Sequence, residues 1–119
     1  MSAGQAVAMI LLVFQMYGVN PAVGECVSWH ESRHLETARN GIHQGMFQYN
    51  PRTFGWFLEM ALEDNFFMHA HLFKYPDPYD PLQAITLSAW AIKNGYEGHW
   101  EAYKFCWDIQ PVIMNGIAP

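Results

Sequence analysis

The stretch Gly45-Met46-Phe47-Gln48-Tyr49-Asn50-Pro51-Arg52-Thr53-Phe54 holds the end of a loop and the start of a helix. Asn50 offers a side-chain oxygen to the free N–H groups of a first helical turn. Pro51 brings a helical φ and has no N–H to leave unpaired. The same pairing recurs at Asn20-Pro21 and Asp80-Pro81. Gly18 suits the end of a first helix, and Asn94-Gly95 the end of the helix that begins at Pro81. These signals predict helices over 3–17, 21–35, 51–63, 81–94 and 99–108, with a further one near 66–73. The segment 40–49 carries two glycines and no helical period, and it reads as a loop with a short hairpin. Tyr75 to Pro81 reads as a Pro-rich surface loop. The expectation is an α+β domain that is predominantly α, with about five or six helices.

The whole chain reads as one domain, 1–119. It is 51% hydrophobic and 16% aromatic, too apolar for intrinsic disorder. No internal repeat or low-complexity linker divides it. Six Lys and Arg stand against eleven Asp and Glu, a net charge of -5. No cation is adjacent to another, so neither nucleic acid nor an anionic membrane is an expected partner. The apolar run Ala6–Phe14 is preceded by no Lys or Arg. It is also shorter than the ~20 residues of a membrane span. It reads as a buried helix. Cys26 and Cys106 allow one bridge, which would close most of the chain. Two buried thiols are the alternative, and the residues alone leave both open.

Three groups of residues can carry chemistry. The first is His30-Glu31-Ser32-Arg33-His34. It matches H-E-x-x-H, in which two histidines one helical turn apart share a zinc ion and the glutamate acts as base. The longer pattern with a third histidine fails at Thr37 and Asn40. His43, His69 and His71 have no diagnostic spacing as third ligands, and the bland alternative packs His30 on Val23, Cys26 and Val27. The second is Glu31-Ser32 followed by Gly45–Phe54. Glu31 falls near a helix C-terminus with Val27 and Leu35 four residues to either side. Desolvation and the helix dipole both favour its protonated form, as a general acid requires. Arg33 opposes this, screened by solvent. The third is aromatic. Phe47, Tyr49, Phe54, Trp56, Phe57, Trp90, Tyr96 and Trp100 surround these motifs, and most belong to a core. Tyr49 and Trp90 are the expected ligand contacts among them.

The E-S pair near a helix end, a polar loop, and then Gly45-Met46-Phe47-Gln48 with Pro51, Thr53 and Phe54 resemble the lysozyme-like superfamily. The likeness is to its soluble lytic transglycosylase, goose-type lysozyme and resuscitation-factor group. Tyr17-Gly18-Val19-Asn20-Pro21 is similar to the lead-in to that family's catalytic helix. Asp80–Ile85 with Ala89-Trp90 is similar to its later cleft helix. The family's A-Y-N-x-G motif is not intact here, and the acidic balance differs from cationic secreted lysozymes.

The resemblance implies cleavage of the β-1,4 MurNAc–GlcNAc bond of peptidoglycan, with Glu31 as general acid/base and no cofactor or metal. It implies that Ser32 orients the helix end or a sugar, and that Gln48 lies beside the substrate. It also implies a Cys26–Cys106 disulfide and a monomer acting outside the cytoplasm, alone or within a larger wall or virion assembly. Candidates for a second carboxylate are Glu36, Asp64, Asp77 and Asp80, none at a matching position. A transglycosylase needs only one carboxyl, so the expected route is ring closure to a 1,6-anhydro product. The alternatives are hydrolysis of the same bond as a lysozyme, a zinc-dependent hydrolase built on His30 and His34, and a non-catalytic wall-binding module.

Overall fold

The computed structural model describes residues 1–110. Its elements are α1 (Ala3–Met16), α2 (Pro21–Ser32), β1 (Arg39–Asn40), β2 (His43–Gln44), α3 (Pro51–Glu63) and α4 (Pro81–Lys93). Three short 3-10 turns complete it, at Ala70–Phe73, Glu97–His99 and Glu101–Phe105. The two strands pair antiparallel, with Arg39 opposite Gln44 and Asn40 opposite His43. The chain is therefore mostly helical with one small sheet. It has four α-helices among the described residues rather than five or six. Of the segments expected as helices near 66–73 and over 99–108, the first is 3-10 over Ala70–Phe73 and the second over Glu101–Phe105, after an extended backbone at Trp100.

The three Pro-marked starts form for the expected reason. Asn20, Asn50 and Asp80 accept from the backbone N–H of Ala22, Arg52 and Gln83 respectively. Such a cap contributes about 1 kcal/mol. α1 begins with a capping box, Ser2 with Gln5. Its buried residues, Ala6, Ile10, Val13 and Phe14, recur at helical spacing and face the core. α1 crosses α2 at Gly24, where a Cβ would lie 2.6 Å from the Phe14 ring.

α4 is the central helix. Every residue from Gln83 to Ala91 is buried, and it packs against α1, α2 and α3. This explains why the helix carries no charge before Lys93 and no polar stripe, and why Gln83 and Ser88 hydrogen-bond within the protein. Tyr49 anchors the core between α3, α4 and the last turns. Its ring meets Phe54, Phe57, His99 and Trp100 at 5.1–6.2 Å between centroids. Cys26 and Cys106 form a disulfide, which ties α2 to the end of the Glu101–Phe105 turn. In the chain-entropy model a loop of this length stabilises the fold by about 4.5 kcal/mol. No helix among the described residues is long and apolar enough to cross a membrane.

Candidate active site

α2 ends at Ser32, three residues before the expected position, and without a glycine. Arg33 and His34 follow with φ of 56° and 64°, both in the left-handed region. Side chains hold this costly turn in place. The buried Ser32 Oγ donates to the Met46 carbonyl at 2.7 Å, tying the helix end to the Gly45–Gln48 turn. The His34 ring is buried and lies 2.9 Å from Ser28 Oγ and 3.0 Å from Glu25 Oε1. The Ser32 hydroxyl is thus engaged within the protein, with the Ser28 carbonyl also 3.2 Å away.

The Gly45–Gln48 turn closes on itself. Gln44 and Tyr49 exchange two backbone hydrogen bonds of 2.9 Å. Gly45 has φ +82°, and a Cβ on it would collide with the Pro78 carbonyl, so only glycine fits where the Pro-rich loop crosses. Gln48 has φ +52°. Its Nε2 donates to the carbonyls of Gly45 (2.8 Å) and Ala38 (3.2 Å), which fixes the amide's orientation. These are its side-chain hydrogen bonds among the described residues, and they leave Oε1 without a protein donor.

The helix end and this turn form the walls of a polar cavity of about 370 Å³, lined by His30, Glu31, Asn40, His43, Gln48, His99 and Glu101. The pair expected to act together, Glu31 and Gln48, therefore shares one site. Burial raises the Glu31 pKa above the ordinary carboxyl value. His43 and His30 pull it back when charged, and Glu101 raises it further. The sign matches expectation, but the surroundings differ. Leu35 lies beyond the helix and is exposed, so it does not shield Glu31. Arg33 is held over the Trp29 ring, 4.6 Å from its centroid.

Two expected sugar contacts are corrected. Tyr49 is fully buried, and its hydroxyl is 2.8 Å from Ser88 Oγ. Burial raises its pKa, as expected for a phenol sealed in the core. Trp90 is buried too, and its Nε1 donates to Asp64 Oδ2 at 2.8 Å. It lines a different and larger cavity, about 580 Å³, with Tyr17, Asp64 and Lys93. That cavity shares no residue with the one at Glu31 and lacks its convergence of imidazoles and carboxyls. Trp56 and Tyr96 line an adjoining hollow that shares His99 with the site, and Phe105 stacks on His30 at its edge. Trp56 is 53% exposed.

The zinc pattern does not form. His34 sits past the helix end with its ring committed to Ser28 and Glu25. His30 is exposed, with its ring beside Cys26 of the α2 stripe and stacked on Phe105 at 5.9 Å. The two histidines do not share a cavity wall. The expected second carboxylates also lie elsewhere. Glu36 pairs with the N-terminal amine at 2.6 Å, Asp64 accepts from Trp90, Asp77 accepts from the Tyr79 N–H, and Asp80 caps α4. Glu101 and His99 join the cavity with no motif to mark them, and His43, weighed above only as a metal ligand, joins them. They come from three separate elements, and only their meeting in space marks them. No protein-family model, curated protein or solved structure matches the chain.

Proposed function

We propose that this protein cleaves the glycan strand of peptidoglycan at the β-1,4 MurNAc–GlcNAc bond, as a lytic transglycosylase with Glu31 as general acid and then base. The observation that carries this reading is the half-buried Glu31 carboxyl sharing one cavity with Gln48. Burial raises the pKa of this carboxyl, which favours the protonated form that donates to the leaving glycosidic oxygen. Once ionised, it can accept the proton of the muramic C6 hydroxyl as that oxygen closes on C1. The leaving sugar departs with the first proton, and no water enters.

Gln48 Oε1 is an acceptor for a sugar hydroxyl at the cavity floor. Trp56 and Tyr96, next along the groove past His99, offer faces for axial C–H groups of a neighbouring sugar. Ser32 acts through position, by fixing the end of the helix that bears Glu31. The disulfide fits a protein working in an oxidising compartment outside the cytoplasm.

One observation favours a second reading, hydrolysis. Glu101 lines the same cavity as Glu31, so a second carboxylate is available to activate water. Mass spectrometry of muropeptides released from purified walls separates the routes. A 1,6-anhydro end supports transglycosylation, and a reducing end supports hydrolysis with Glu101. Intact glycan strands after prolonged digestion would overturn both.

A further inference from the structure

The disulfide has an imidazole beside it. Cys26 and His30 are one turn apart on α2, so their side chains rise from the same face. Cys106 follows the Glu101–Phe105 turn, and His30 stacks on Phe105. The two sulfurs and a His30 ring nitrogen all lie within 4.8 Å of one another. Both cysteines are buried and His30 is exposed, so the imidazole sits at the solvent edge of the bridge. In the oxidised protein this group has no thiolate to offer, because each sulfur is bonded to the other.

We infer that reduction turns the Cys26–Cys106 bridge into a zinc site with Cys26, Cys106 and His30 as its three protein ligands. A dithiol or a phosphine delivers two electrons. The S–S bond breaks, each sulfur takes a proton, and the reductant leaves as a cyclic disulfide or, with water, as a phosphine oxide. Zinc then displaces the two thiol protons and binds both thiolates and the neutral imidazole. Bonds of about 2.3 Å to sulfur and 2.0 Å to nitrogen place tetrahedral ligand atoms roughly 3.5–3.8 Å apart. That spacing falls inside the 4.8 Å span already present. Two of the ligands are preset by a single turn of α2, and the third needs only the end of one 3-10 turn to settle. Water takes the fourth position. The metal would join the same two elements that the disulfide joins, and so hold the end of the chain on α2 under reducing conditions.

The test uses the full chain and cobalt as a spectroscopic stand-in for zinc. The protein is reduced with a phosphine, freed of reductant without oxygen, and titrated with Co²⁺. One equivalent should produce a thiolate-to-cobalt charge-transfer band with intense tetrahedral d–d absorption, and Zn²⁺ should bleach both. The oxidised protein should show neither. His30→Ala, at an exposed position, should weaken Co²⁺ binding at least tenfold, while His71→Ala leaves it unchanged. Circular dichroism of the oxidised variants checks that they are folded. If the reduced apoprotein unfolds, Zn²⁺ should restore the oxidised protein's spectrum. The proposal is overturned if reduced protein gives no charge-transfer band, if His30→Ala titrates like wild type, or if an unfolded reduced chain stays unfolded with Zn²⁺. Metal binding is the readout throughout, so the result does not depend on the function proposed for Glu31.

Discussion

Tyr49→Phe separates a core tyrosine from a sugar-binding one. Ser88 Oγ donates its single proton to the Ala84 carbonyl at 2.7 Å. The Tyr49 hydroxyl, 2.8 Å away, must therefore be the donor of the bond between the two side chains. Both residues are fully buried. Removing the phenol oxygen deletes one neutral hydrogen bond and leaves a Ser88 lone pair unmet in a dry core. The ring and its contacts with Phe54, Phe57, His99 and Trp100 stay in place. The expected cost is about 1–2 kcal/mol. For a chain of this size that lowers the melting temperature by roughly 4–8 °C. Calorimetry of both proteins at one pH measures the loss, and wall-lysis kinetics on the folded variant measure the site. Tyr49→Phe should lower the melting temperature and leave KM unchanged. An unchanged melting temperature with a raised KM would refute this, and would return Tyr49 to the role of sugar contact.

Reducing Cys26–Cys106 without metal should lower the melting temperature by on the order of 15–20 °C, and the unreduced, denatured protein should titrate no free thiol. Two free thiols would contradict the bridge. Because Glu31 must carry a proton when substrate binds, activity should fall on the alkaline side through a pKa above the ordinary ~4.3 of a glutamate. A profile flat up to about pH 9 would assign the proton to another group. The same upward shift makes the protonated Glu31 favour folding. Its contribution is full below the unfolded pKa and is lost as pH rises through the higher folded pKa. Glu31→Gln should accordingly raise the melting temperature near pH 8 and change it little near pH 3. Equal effects at both pH values would contradict the burial argument. Activity of the oxidised protein should survive EDTA, since no step uses a metal. Loss on chelation with recovery on Zn²⁺ would count against the glycosidic acid.

Local chemistry was legible where it acts alone. The three caps at Asn20, Asn50 and Asp80 formed as read, because an N-cap depends on a few adjacent residues. The hairpin after α2 and the meeting of Glu31 with Gln48 were legible too. What the sequence hid was decided by distant partners. α2 stops at Ser32 because Ser32 reaches Met46 and His34 reaches back to Ser28, and neither bond has a local signature. The 99–108 segment stays in 3-10 turns while Trp100 Nε1 donates to the Phe47 carbonyl and the bridge holds Cys106. The exposure of Trp56 follows from periodicity. Phe54, Phe57, Leu58 and Ala61 mark the buried face of α3, and Trp56 falls off it. Glu101, His43 and His99 belong to no motif, and only the folded cavity brings them to Glu31.

Glu31→Gln tests the central claim most directly. The amide keeps the side chain's size and removes the transferable proton, so the variant isolates acid chemistry from packing. Wild type and variant are compared for muropeptide release from the same purified walls, with matched circular dichroism spectra. Release by the folded variant should be abolished. Retention of more than about a tenth of wild-type activity would contradict this, because losing a positioned general acid costs roughly 10²–10⁴-fold.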